Sequence, residues 1–457
     1  MTTVVPLAEA AARLRTDLGD HVLLAGEPGY DDASRPWNVL HEQRPLAVAV
    51  PSSDDEVAAL VRAASAAGIR VAAQSTGHGS GALSGTDLSD VLLVSLRNMR
   101  GVTVDPDARV ATVRGGSLWH DVLEAAAPHG LTGLHGSAGG ISVAGYALSG
   151  GISFYGRRHG MGVNAVRGVR MVTADGELVT ATADENPDLF WAVRGGSGAF
   201  GVVVSLDIDL LPYPDVFAGM MLWDAARAAE VGTAWLEWTA TVPESVTTAL
   251  RVMHFPPMPE LPPFLRGRSV VLVDGALLEA DADADALLAR LRALQPEMDT
   301  FARIPAARMV DVHMDPPEPS PAVSATAMLQ SLDAEAIAAF VAAAQRARPM
   351  MSEIRHVGGA IARRPEHAGA VGAVAGRYLL DSIAIVPAPG LRAPATEAVR
   401  AVVAALAPWH GDEIALTFID DGVQDRRPGF RASARRLAQL KERFDPENMF
   451  AAGHPVA

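Results

Sequence analysis

Over the first two hundred positions, apolar residues switch between short unbroken runs and helical spacing. Residues 46–50 form a run of strand length, and Val57, Leu60, Val61 and Ala64 then recur on one face of a helix. Ser53 and Glu56 frame the start of that helix as a capping box, and Gly68 marks its end. Largely apolar runs at 69–73 and 91–96 predict two more strands. Residues 102–104 and 108–113 predict a further pair, before a short helix at 119–127 stopped by Pro128. Residues 166–173 and 178–181 read as a hairpin turning at Asp175 and Gly176. After them, 184–193 reads as helix and 201–211 as a long strand with Asp207 and Asp209 on one face. Residues 21–38 read as loop, because Pro28, Gly29, Asp31, Asp32 and Pro36 break every period.

The pattern changes at Pro212, Tyr213 and Pro214. Beyond them, helices at 225–239, 282–294 and 334–347 alternate with strands at 247–253, 269–278 and 382–386, separated by proline-rich loops. A strand at 413–418 and a basic amphipathic helix at 431–444 follow. The expected fold class is α+β, with an N-terminal part over 1–210, a second α+β domain over 211–410, and a C-terminal part over 411–457 that returns to the style of the first.

Two stretches obey neither period. Ser75, Thr76, Gly77, His78, Gly79, Ser80 and Gly81 form a glycine loop between two strand-like runs, with one imidazole at its rim. Glycine lets backbone N–H groups turn towards an anion at little steric cost, so the loop is a candidate phosphate cradle. Residues 136–160 hold eight glycines and no charge before Arg157, a composition suited to buried backbone pressed against something flat. Together the two stretches point to one large, anionic, aromatic cofactor. Gly196, Gly198 and Gly201 spell GxGxxG, but a β-branched run follows them where a dinucleotide-binding loop needs a helix, which argues against that fold. His120 and His135 read as structural, and no acid or second histidine lies at metal-ligand spacing from His78.

Composition narrows the function classes. With 49% apolar residues the 457-residue chain can bury roughly two to three domain cores. A net charge of −15 disfavours nucleic acid as a partner, and the lack of cysteine rules out disulfides, thiolate metal sites and cysteine nucleophiles. Residues 1–20 carry Glu9, Arg13, Arg15 and Asp17 rather than an apolar leader, and no run approaches a membrane span, so a cytoplasmic protein is expected.

The motifs resemble those of FAD-linked oxidases of the vanillyl-alcohol-oxidase superfamily, in the berberine-bridge-enzyme-like branch with a PCMH-type FAD domain. The resemblance is carried by residues 76–79, 143–151 with 157–160, 172–176, 187–196 with 200–203, and 444–450. It implies a two-part FAD-binding domain and a central substrate domain whose large antiparallel sheet, flanked by helices, lies over the flavin ring. It also implies that residues 75–81 bind the pyrophosphate, that His78 bonds covalently to the flavin 8α-methyl, that Gly145, Gly150 and Gly151 line the ring, and that Val202 and Val203 lie near the adenine. Ala138 stands where doubly linked members carry cysteine, so a single covalent bond is expected. Ser149 replaces one glycine of the usual triple, and Ala415, Leu416, Thr417 and Phe418 replace a motif that ordinarily begins with tyrosine.

The implied reaction is oxidation of an alcohol, an amine or a ring-closing small-molecule precursor, with electrons passed to molecular oxygen as peroxide. The alternatives are a dehydrogenase with noncovalent FAD and another acceptor, or a silent ligand-binding relative. Tyr155, Tyr378 beside Arg377, and Thr417 are the catalytic candidates. A tyrosine base would need its ordinary pKa of about 10 lowered.

Overall fold

The computed structural model describes residues 7–259, 261–420 and 422–456. The first six residues, part of the stretch read for a leader, lie outside them. The described residues build three sheets. In the first, Val22–Leu24 pairs antiparallel with Ala47–Ala49, which runs parallel to Val91–Ser95, itself parallel to Arg70–Gln74. Parallel neighbours need a crossover, and helix Asp54–Ala66 supplies it, burying Val57, Leu60, Val61 and Ala64 as their spacing requires. Ser53 Oγ accepts the Glu56 N–H at 3.2 Å, but the Glu56 carboxylate takes the Ser52 N–H at 2.7 Å, so the capping box closes one residue early.

The second sheet is antiparallel, in the order Val102–Asp105, Val110–Arg114, Val202–Asp209, Val166–Val172 and Leu178–Thr182. Gly201 leads straight into its central strand, which is why the GxGxxG spelling carries no helix. The third sheet has eight strands, all between Asp215 and Ile385. Asp215–Asp224, Ser269–Leu277, Val246–His254, Met351–His356, Tyr378–Ile385 and Ala322–Leu329 succeed one another antiparallel across it. Its outer face packs Leu250, Val252, Ile354 and Leu380 against helices that bring Trp235, Phe340 and Val402. Its inner face looks towards the glycine-rich half of the chain. The C-terminal segment returns to the first sheet, where Met449 O accepts the Val71 N–H at 2.8 Å and Val71 O the Ala451 N–H at 2.9 Å. Lys441, buried, ties this return together by donating to Ala199 O, Asp445 and Phe450 O.

Several elements differ from the sequence reading. Residues 413–418 form no strand but a turn, Leu416–Phe418, and Glu413 uses its carboxylate instead, accepting the Ala375 N–H at 2.6 Å. Within the second glycine stretch lie helices Val143–Leu148, with Ser142 as N-cap, and Gly156–His159. Residues 21–38 include strand Val22–Leu24 and helix Tyr30–Ser34. Helices Leu7–Leu18 and Arg392–Ala405 and strands Asp215–Asp224, Ala322–Leu329 and Met351–His356 were not expected. Among the described residues no helix is long and apolar enough to cross a membrane.

Candidate active site

The first glycine loop turns out of strand Arg70–Gln74 into the single turn Gly81–Ser84. Gly77 adopts φ +78°, and a Cβ there would lie 2.7 Å from Pro36 Cβ, so only glycine fits. Trp37 N–H donates to Thr76 O at 2.8 Å, and the Trp37 ring stacks on the His78 imidazole with centroids 4.2 Å apart. Burial pulls the His78 pKa down to about 4, against the opposing pull of Asp420, Asp315 and a hydrogen bond with the Gly140 backbone. The imidazole is therefore neutral at pH 7, and its buried Nε2 has no hydrogen-bond partner. Ser80 Oγ is buried and unpartnered as well, while a Cβ on Gly79 would meet open space. Ser75 Oγ donates to Gly115 O at 2.8 Å, and Gly115 in turn packs on Val203 O, where a Cβ would come within 2.3 Å. The Val202 and Val203 strand thus meets the loop through Gly115.

The Gly140 backbone lies near enough to the imidazole to favour its charged form, which sets this part of the second stretch, Ala138 included, near the loop. Neighbouring Ser137 donates to Asp315 at 2.6 Å. Gly145 is exposed and, like Gly140, borders open space, since a Cβ on it would touch nothing nearer than 3.7 Å. Gly150 and Gly151 both have positive φ, and a Cβ on Gly151 would lie 2.7 Å from the Tyr146 ring. The Tyr146 hydroxyl is buried without a partner; burial pushes its pKa up, with Arg355 opposing. Loop and stretch together form a glycine-sided trough.

The opposite wall is the inner face of the eight-stranded sheet, where strand register aligns Arg251 with Glu353, Glu353 with Asp381, and Asp381 with Thr326. Arg251 pairs with Asp274 at 2.6 Å, His313 bridges Asp274 at 2.8 Å and Glu353 at 3.0 Å, and Arg355 pairs with Glu353 at 2.6 Å. All are buried. Arg355 lies over the Phe154 ring at 4.8 Å and the Phe418 ring at 5.5 Å, which joins this wall to the glycine stretch and to the C-terminal turn. Burial and Arg251 work against protonation of His313, yet Asp315, Asp274 and Glu353 together carry its pKa up to about 9. Burial would raise the Glu353 pKa, but Arg355 and His313 outweigh it and hold the carboxylate ionised. Asp381 goes the other way. Burial and the charge of Glu353 push its pKa up to about 8, Arg355 offsets this only in part, and its Oδ1 is unpartnered.

Of the catalytic candidates, Thr417 has a buried and unpartnered Oγ1 and adjoins Phe418, whose ring lies under Arg355 of the charged wall. Tyr155 does not present its hydroxyl as a base. It is fully buried, its ring stacks on Tyr213, its hydroxyl lies beside Thr132, and burial pushes its pKa up. Tyr378 points to the helix side of the sheet, where it shares a hydrogen bond of 2.9 Å with Thr239, so the sheet separates it from the trough. Sequence reasoning missed Asp274, His313, Glu353, Arg355 and Asp381. For the four strand residues the available signal was charge inside runs otherwise fit for a buried strand, while His313 comes from a loop.

Residues 45–182 match the family model described as FAD binding domain. Over 216 residues the chain is 32% identical to (R)-6-hydroxynicotine oxidase of Paenarthrobacter nicotinovorans, covering 47% of each. Over 229 residues it is 29% identical to glucooligosaccharide oxidase of Sarocladium strictum, covering 49% of this chain and 46% of that one. The chain thus spans about half the length of the curated relatives it matches. Physcomitrella patens BBE-like 1 superposes with a TM-score of 0.84 at 19% identity, over 99% of this chain and 100% of that one. The chain therefore carries an FAD-binding domain. Its fold as a whole is that of Physcomitrella patens BBE-like 1, a likeness of fold at low sequence identity. The residues present fit FAD: Gly79, Gly140 and Gly145 border open space, while Gly150 and Gly151 pack on Met161 and Tyr146, and buried polar atoms of His78, Ser80 and Tyr146 are left without partners.

Proposed function

We propose that the protein is an FAD-dependent oxidase of a small alcohol, amine or ring-closing precursor, with molecular oxygen as electron acceptor and the cofactor held by a single bond to His78. FAD, when bound, supplies hydride acceptance. The observation that carries the reading is a neutral, buried, unpartnered His78 nitrogen at one end of a glycine-sided trough whose facing wall is a buried charged row. A neutral imidazole has the lone pair that attachment requires. Ala138 offers no thiol for a second bond. Glycine flooring allows close approach of the ring, and burial of the facing wall excludes water from the reacting C–H bond.

Asp381 is the group placed to take the proton from the substrate's O–H or N–H. It is held mostly protonated at neutral pH and becomes an acceptor as pH rises through about 8. Arg355 and His313 keep Glu353 charged beside it, and Thr417 offers a hydroxyl for orientation. The names of the relatives, one an oxidase of a hydroxynicotine and one of a glucooligosaccharide, leave amines and alcohols both open as substrates.

The test is acid precipitation of the purified yellow protein. Flavin should stay with the polypeptide, and His78→Ala should release all of it. Flavin that washes out of the wild type would sink the covalent assignment. A peroxide yield well below one per turnover would replace the oxidase with a dehydrogenase.

A further inference from the structure

The segment Pro36–His41 is a strap laid across the first glycine loop. Pro36 packs on Gly77, Trp37 stacks on His78, and Trp37 O accepts the Ser320 N–H at 3.2 Å. Asn38 binds residue 322 twice, donating to Ala322 O at 2.9 Å and accepting the Ala322 N–H at 3.1 Å, which anchors the strap to the edge strand Ala322–Leu329. Three donors from strap and loop converge on one carboxylate from the C-terminal segment. Asn38 Nδ2 at 2.5 Å and His41 Nε2 at 3.1 Å reach Asp420 Oδ2, and Gly81 N–H reaches Oδ1 at 3.0 Å. Gly81 sits so close to Asp420 that a Cβ would lie 1.5 Å from its carbonyl oxygen. The loop that carries His78 is thus held by the strap and by the C-terminal segment, and one carboxylate is their meeting point.

We propose that Asp420, with Asn38, His41 and Trp37, forms a positioning cluster that sets His78 for covalent attachment of the flavin. The proposal rests on the covalent reading above. In that step an N–C bond to the 8α-carbon replaces one C–H and one N–H bond, and the two hydrogens with their electrons leave to molecular oxygen as peroxide. Positive charge builds on the imidazole as the N–C bond forms. A fixed carboxylate nearby stabilises that charge, and Asp420 already provides the largest pull against the burial of His78. The stacked Trp37 ring and the tethered Gly81 fix where the imidazole stands.

The experiment follows flavin attachment, not turnover. Protein collected early in expression is incubated with FAD in air. Native flavin content is read by absorbance, and the attached fraction by in-gel fluorescence after denaturation. Asp420→Asn should bind flavin natively as the wild type does but attach it about tenfold more slowly, and Asp420→Glu should recover part of the rate. Equal rates for Asp420→Asn and wild type overturn the proposal and leave the covalent reading intact. A wild type that never attaches flavin overturns both. Should Asp420→Asn hold no flavin natively, His41→Leu decides: it removes one donor while keeping the carboxylate, so slower attachment supports the cluster and an unchanged rate overturns it.

Discussion

The two walls of the trough are built on opposite principles. The glycine side presents backbone, is free of ionised side chains between Gly136 and Gly156, and owes its shape to positions where a side chain would collide. The sheet side presents buried side chains, with Arg251, Asp274, His313, Glu353 and Arg355 in one connected network and Asp381 beside Glu353 in the register. A backbone wall can approach a planar ring and hold it rigidly, but its titratable groups, His78 and Tyr146, are held neutral by burial. A charged wall can move protons, but each of its members depends on its neighbours to stay in the interior. The contrast assigns cofactor capture to one wall and substrate chemistry to the other, and it can be broken from either side.

The largest effect is expected at Gly81. Gly81→Ala puts a methyl group into the Asp420 backbone, so the protein should purify without flavin and lose about 3 kcal/mol or more in denaturant unfolding. Flavin retained at wild-type level would show that the loop does not depend on this contact. Removing a charge from the other wall should separate the two functions. Glu353→Ala leaves Arg355 and His313 short of a buried counter-ion and should cost about 3–5 kcal/mol, measured by urea titration, while the folded fraction still carries attached flavin.

Asp381→Asn keeps shape and removes the acceptor. Turnover should fall about a hundredfold, and the rise of wild-type activity through pH 8 should vanish from the pH profile. Stability moves in the opposite sense. The Asp381 pKa is raised on folding, so between pH 4 and 8 the native state binds more protons than the unfolded one. Wild type should therefore lose stability relative to Asp381→Asn across that window. The smallest effects belong to the two tyrosines. Tyr378→Phe gives up its bond to Thr239, costing about 1 kcal/mol. Tyr155→Phe keeps its stack on Tyr213, and neither change should alter turnover measurably. A large loss of turnover in either would restore a tyrosine base.

What could be read in the sequence follows the same division. The His78 loop occupies consecutive positions, so its composition announces a cradle without knowledge of the fold, and the second glycine stretch likewise. The charged wall is assembled by register. Arg251, Glu353 and Asp381 come from three strands and His313 from a loop, and nothing in linear spacing brings them together. Met351–His356 escaped notice because Glu353 and Arg355 interrupt its apolar run, although the structure buries that strand on both faces. Asp215–Asp224 was hidden because Val216 is its only β-branched residue and Gly219 interrupts its apolar run, where the Phe301 backbone comes within 2.5 Å of a would-be Cβ. At 413–418 the apolar pattern was real but serves a turn whose apolar side chains pack into the core.

The tether between Gly81 and Asp420 spans 339 positions of chain. During synthesis the glycine loop leaves the ribosome long before its counterpart, so a nascent chain has the cradle but not its clasp. Flavin loading then belongs to the final moments of biogenesis, and translation that stalls upstream of position 420 should yield colourless fragments however much riboflavin the cell supplies.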